Sequence, residues 1–174
     1  MRQVTRLDYI REDDYQAVRL PYAGYAVEMW VILPGEGKFK AIQEQLGAGL
    51  LEKVQQNAQG WRVTLTLPRF NIETGLQLPK LLKELGMPEI FCPAMDFGGM
   101  VEGGGLCVDS ALHRATIKVD EEGTEAAAAT MVAIPVSEVE EVVMTVDHPF
   151  IFIIIERETG IILFFGQVLD PAED

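Results

Sequence analysis

Glu121-Glu122-Gly123-Thr124-Glu125-Ala126-Ala127-Ala128-Ala129-Thr130 joins an alternating strand pattern to a long stretch with no periodicity of its own. Four consecutive alanines suit a helix, yet Gly123 and Thr124 give it a poor start. The other reading is a segment kept small so that it can enter a crowded place between strands. What flanks the stretch decides between the two.

Upstream, within residues 106–120, Ala111, His113, Ala115, Ile117 and Val119 share one face, and Leu112, Arg114, Thr116, Lys118 and Asp120 share the other. That alternation reads as a strand. Downstream, Glu121 to Asp147 is long for a structureless loop in a compact domain, which marks it as functional or disordered. Two nearly continuous apolar runs follow, Phe150–Ile155 and Ile161–Phe165, forming a hairpin of the kind buried on both faces of a sheet.

The first third also reads as strands. Asp14–Leu20 ends at Pro21-Tyr22-Ala23-Gly24, and Tyr25–Leu33 ends at Pro34-Gly35-Glu36-Gly37, both turn chemistry. Ile42, Leu46, Leu50 and Val54 then recur at helical spacing, split by Gly47 and Gly49 into two short helices. Trp61, Val63, Leu65 and Leu67 alternate with Arg62, Thr64 and Thr66 as a half-buried strand, and a second strand follows around Phe70–Glu73. A short helix comes next, with Pro79 near its start and Gly86 at its end. The pattern predicts one α+β unit rich in antiparallel sheet.

Composition narrows the function classes. At 174 residues and 48% apolar, the chain can bury a sizeable core. Its net charge of −13 disfavours nucleic acid and anionic membrane surfaces as partners. No apolar run approaches the roughly 20 residues of a membrane span. Met1-Arg2-Gln3-Val4-Thr5-Arg6 is no secretory signal, so either the protein is cytoplasmic or the true N-terminus lies upstream. Cys92 and Cys107 carry neither metal-ligand spacing nor a redox motif, and compartment stays open.

Other constellations read as structural. Gly103-Gly104-Gly105 does not match a phosphate-binding pattern, and no cofactor is implied. Asp109, Ser110 and His113 invite a catalytic reading, but a hydrogen-bonded histidine under a sheet accounts for His113 more simply. Asp147-His148 with Ser137 lacks an oxyanion feature or a nucleophile elbow, so it does not read as a triad.

The chain resembles the C-terminal half of a serpin, the superfamily of suicide inhibitors of serine and some cysteine proteases. The resemblance is carried by Leu112-His113-Arg114-Ala115, by Glu121 through Ala128, and by His148-Pro149-Phe150-Ile151-Phe152. Leu67-Pro68-Arg69-Phe70, Leu85-Gly86-Met87 and Phe165-Gly166-Gln167-Val168 support it. It implies a serpin-like α+β fold of antiparallel sheets with short helices, lacking the N-terminal helical half. Residues 1–174 are then the C-terminal part of a single serpin domain, with the reactive loop at about 122–146, and the missing half is an implied partner. The hairpin at 150–165 would pack against helices of that half, so in isolation it should be exposed and aggregation-prone.

The resemblance further implies a protease inhibitor and not an enzyme. A protease cleaves the exposed loop, whose N-terminal part then inserts as a strand into a sheet, driven by a metastable fold. The hinge residues Glu121, Glu122, Gly123, Thr124, Glu125, Ala126, Ala127, Ala128, Ala129 and Thr130 suit that fate. From Glu122 to Ile134 there is no proline, which a central strand excludes. Thr124, Ala126, Ala128, Thr130 and Val132 are small enough for the packed face.

Two placements of the cleaved bond remain: Val136–Ser137, preferred, and Ser137–Glu138. Neither offers a basic side chain, and no Lys or Arg lies between Lys118 and Arg157. The implied partner is therefore an elastase-like or subtilisin-like serine protease rather than a trypsin-like one, with a cysteine protease as a further class. His113 matches a structural histidine beneath the place where the sheet opens, and the family favours an extracellular setting. The alternative function is a non-inhibitory fragment that binds partners or acts as a scaffold by strand addition.

Overall fold

The computed structural model describes residues 1–87, 108, 110–120 and 141–171. The chain divides into two compact units, Met1–Phe70 with Val119–Asp174, and Asn71–Lys118.

The larger unit is built on a seven-stranded sheet. Its strands are β1 (Arg2–Arg11), β2 (Tyr15–Pro21), β3 (Val27–Pro34), β4 (Gln59–Thr66), β7 (Glu141–Thr145), β8 (Phe150–Glu156) and β9 (Ile162–Val168), in spatial order β7-β4-β1-β2-β3-β8-β9. Neighbours pair antiparallel except β7, which runs parallel to β4 from Arg62↔Glu141 to Thr66↔Thr145.

The turns expected at Pro21–Gly24 and after Pro34 end β2 and β3. Helices α1 (Phe39–Leu46) and α2 (Leu50–Asn57) form where the apolar spacing placed them, and Ile42, Leu50 and Val54 are the buried positions. These three pack with Ile10, Ala17, Trp30, Ile32, Ile151, Ile153 and Ile155 into one core cluster. Side chains of this size contribute about 1.5–3 kcal/mol each when fully buried. On β8, Phe150 and Phe152 receive the ring of Phe70, with centroids 5.6 and 5.3 Å away. Phe150 to Ile155 of β8 are all buried, as the continuous apolar run predicts.

β9 behaves differently. It closes the sheet at an edge, and Ile162, Leu163, Phe164 and Phe165 are all exposed. Among the described residues, the exposure expected of the whole hairpin thus falls on β9 and the turn before it, while β8 lies between β3 and β9.

Two strands escape a periodicity reading. β1 carries Arg2, Arg6, Asp8 and Arg11, which make it look like a mixed polar lead-in, yet it pairs with β4 from Arg2↔Thr66 to Tyr9↔Gln59. β7 lies within the span assigned to the loop. Of the span of about 122–146 expected as loop, residues 122–140 lie outside the described residues, while Glu141–Thr145 is strand and Met144 is fully buried. Val142, Val143 and Thr145 are β-branched residues that favour that state.

Apart from the end residues Phe70 and Val119, the smaller unit holds β5 (Phe70–Gln77), α3 (Leu78–Glu84) and β6 (Leu112–Val119), with β5 and β6 paired as a two-stranded sheet. Gly86, at φ +90°, ends α3 in a Schellman arrangement: Met87 N–H donates to Leu82 C=O at 2.8 Å and Gly86 N–H to Lys83 C=O at 3.1 Å. On β6 the predicted alternation holds from Arg114 onward, with Ala115, Ile117 and Val119 half-buried and Arg114, Thr116 and Lys118 exposed, whereas His113, expected on the face of Ala115, is exposed.

Candidate functional site

The hinge residues Glu121 to Thr130, both candidate bonds among Val136, Ser137 and Glu138, and the cysteines Cys92 and Cys107 lie outside the described residues. The structure describes the two strands that the segment 121–140 joins. On the N-terminal side β6 runs to Val119, and Asp120 is half-buried. His113 sits on this strand with its side chain exposed. No covering layer for it occurs among the described residues of β6's own sheet, which has two strands.

The C-terminal side is anchored at several points. The Thr64 hydroxyl of β4 donates to the Glu141 carboxylate at the first residue of β7. Val146 N–H then donates to Thr66 C=O at 2.8 Å, extending the attachment past the strand's end. Val146 is buried, like Met144. Burial at positions 144 and 146 with exposure at 143 and 145 is the period of two that sets which side of β7 faces inward.

The chain next passes through Asp147 and His148 to enter β8 at Phe150. His148 Nδ1 lies 2.8 Å from Asp147 Oδ1, and Nε2 lies 2.7 Å from the carbonyl oxygen of Pro34 at the end of β3. Both ring nitrogens face acceptors. A neutral imidazole has one N–H and can serve one of them, whereas the imidazolium serves both. Partial burial works against the charge, but the hydrogen bonds to Asp147 and Pro34 and the charges of Asp147 and Glu36 outweigh it, so the pKa is raised. With Nε2 against the Pro34 carbonyl and Nδ1 against Asp147, both ring nitrogens of His148 are engaged within the protein. The Asp147–His148 pair is a strap between elements.

Beside it, a recess of about 160 Å³ is lined by Arg11, Glu12, Asp13, Gln16, Pro34 and His148 among others. Among the described residues, no group of three or more His, Cys, Asp or Glu side chains is placed to hold a metal ion. No helix among them is long and apolar enough to cross a membrane. What the site can do is mechanical: it fixes the point where the 121–140 segment returns to the sheet. The role of Glu141 and His148 in this anchoring was missed by residue patterns alone, and the quoted His148-Pro149-Phe150 motif is the signal that could have found it.

The chain is similar to known proteins in sequence and fold. Residues 1–171 match the family described as Serpin (serine protease inhibitor). A serpin-like protein of Thermococcus kodakarensis is 40% identical over 177 residues, covering 99% of this chain and 41% of its own length. Human Serpin B3 is 39% identical over 180 residues, covering 98% of this chain and 46% of its own length. Mouse neuroserpin is 37% identical over 159 residues, covering 90% of this chain and 39% of its own length. Among solved structures, thyroxine-binding globulin in complex with thyroxine superposes at a TM-score of 0.84 with 26% identity, over 99% of this chain and 46% of that one. The chain thus spans less than half the length of the relatives it matches.

Proposed function

The chain belongs to the serpin family, and from that membership we propose that it carries the reactive loop and the loop's C-terminal anchor of a serpin-type protease inhibitor. The single observation behind this reading is the composition of 122–134: no proline, with Thr124, Ala126, Ala128, Thr130 and Val132 on alternate positions. A segment that is to become a buried strand needs that pattern. Membership by itself does not require inhibition, since thyroxine-binding globulin is described by its binding of thyroxine.

The cleaved bond is Val136–Ser137, with Ser137–Glu138 as the alternative. Small apolar bait and the lack of Lys or Arg from Val119 to Glu156 favour elastase-like or subtilisin-like proteases. A serine protease is the partner, with a cysteine protease as a further class, and the remainder of a serpin domain supplies the sheet that receives the loop. His113 would sit beneath the point where that sheet opens.

The test uses the full-length protein that contains these residues. Incubated with elastase or subtilisin, it should form a complex that survives a denaturing gel. Cleavage within 121–140 without a stable complex, against every serine protease tried, would overturn the reading. Thr124→Arg should turn inhibitor into substrate, because a buried unpaired charge stalls insertion; unchanged stoichiometry would refute the hinge assignment. The second reading, a non-inhibitory binding module working by strand addition, draws on the exposed apolar edge at Ile162–Phe165. Partner capture abolished by charged substitutions there, in a protein that forms no protease complex, would support it.

A further inference from the structure

We propose that His148 is a pH-dependent latch, pinning the β7–β8 connection to the end of β3 while its imidazole is charged and releasing it when neutral. The geometry makes the two states unequal. In the charged form Nδ1–H donates to Asp147 and Nε2–H donates to Pro34 C=O, at 2.8 and 2.7 Å. With the proton lost from Nε2, two acceptors face each other at 2.7 Å and the tie to β3 is gone. With the proton lost from Nδ1, a ring lone pair faces a carboxylate at 2.8 Å. Either neutral tautomer trades an attraction for a repulsion at one end of the strap.

The surrounding charges decide where the switch falls. Asp147 lies on the connection itself, and Glu36 lies on the turn after β3; both favour the charged ring. Across the recess, the β1–β2 turn presents Arg11, Glu12 and Asp13. Of these, Glu12 is engaged with Lys53 at 3.7 Å. On the neighbouring turns, Asp14 and Lys38 pair with each other at 3.0 Å. From β2, Gln16 brings no charge, and its amide oxygen accepts from the Tyr9 hydroxyl at 2.6 Å. With Asp147, Pro34 C=O and Glu36 favouring the charged ring, the pKa of His148 is raised above the ordinary histidine value.

The released element is the short one. β7 has five residues and one strand neighbour, and its continuation is held by Val146 N–H on Thr66 C=O and by the strap. Losing the strap leaves that end of β7 tied by one fewer point, so it opens more often. That the latch would tune the presentation of a protease-facing loop rests on the proposed inhibitory reading. The latch itself does not.

The chain has two histidines, so the ring signals that vanish in His148→Gln are those of His148. In the full-length chain, ring ¹⁵N shifts are followed by NMR from pH 5 to 9, with N-acetylhistidine amide in the same buffer as reference. The His148 midpoint should lie above that of the reference, with both nitrogens of the imidazolium form protonated below it. Exchange of the Val146 amide, corrected for intrinsic pH dependence, should rise about 5-fold through the same midpoint. In His148→Gln that corrected rise should vanish. A His148 midpoint at or below that of the reference compound, a Val146 rate indifferent to it, or the same pH dependence in His148→Gln would each overturn the latch. The wild-type titration and exchange decide the matter even if the variant fails to fold. Because neither readout involves a protease, the latch and the inhibitory reading can fail independently.

Discussion

Phe152 and Gly166 are cross-strand partners on β8 and β9, and the phenylalanine ring lies where a side chain at 166 would begin. A Cβ built on Gly166 would stand 2.2 Å from the ring's Cζ and 2.6 Å from Cε1. The ring cannot simply swing aside, because Phe70 packs on it at 5.3 Å. Gly166→Ala should therefore destabilise the fold by about 1–3 kcal/mol through overpacking. Urea unfolding should show a lower midpoint, and Gly166→Ala with Phe152→Leu should recover part of the loss.

A polar chain crosses three strands on the face that holds Trp30. Asp8 on β1 pairs with Arg19 on β2 at 2.6 Å, Arg19 reaches Glu28 on β3 at 3.3 Å, and Glu28 accepts from the Trp30 indole at 3.0 Å. Glu28 is buried, so removing its cation leaves a buried carboxylate with the Trp30 indole N–H but no opposite charge. Arg19→Met should cost roughly 2–4 kcal/mol, while Arg19→Met combined with Glu28→Gln should cost less. Equal losses in the single and double variants would show that Glu28 does not depend on Arg19.

Tyr25, at φ 59°, is the non-glycine residue with a left-handed backbone among those described. It sits in the turn between β2 and β3, is exposed, and donates its N–H to Tyr22 C=O at 3.0 Å. Asparagine tolerates that conformation better than an aromatic residue. Tyr25→Asn should raise stability by about 0.5–1 kcal/mol, read as a higher thermal midpoint.

Two groups make stability pH-dependent in opposite directions. The folded pKa of His148 is raised above 6.5, so its contribution is full below 6.5 and is lost as pH climbs through the folded value. Its side chain is 33% exposed, and solvent screening keeps the effect modest. Glu156 lies below its ordinary 4.5 because its carboxylate accepts from the Thr159 hydroxyl and from the Glu158 and Thr159 amides. That contribution is present above 4.5 and is lost as pH falls through the folded value. Denaturation curves of His148→Gln and wild type should converge at high pH, and those of Glu156→Gln and wild type at low pH.

Much of the fold was legible in residue patterns. Ile42, Leu50 and Val54 announced the buried faces of α1 and α2, and Gly86 announced the end of α3. These features are local: a helix face and a cap need only their own few residues. β1 and β7 were not legible because polar residues fill one and the other has five residues. Both owe their state to β4, which lies between them and pairs with each. The site divides in the same way. The hinge pattern at 124–132 could be read residue by residue, whereas the attachment of Glu141 to Thr64 and of His148 to Pro34 could not.

By itself the order of residues determined the family, the turn and helix boundaries, and the small, proline-free character of the segment after Asp120. Those depend on short-range chemistry: backbone freedom at glycine, the missing donor of proline, and the spacing of apolar side chains. Only the tertiary structure decided that β8 is buried while β9 remains exposed, although both are apolar runs. It alone set both nitrogens of His148 against acceptors, one of them the carbonyl of Pro34 at a sequence separation of 114. Burial and charge state depend on which distant strands come to lie alongside, and no local pattern carries that information.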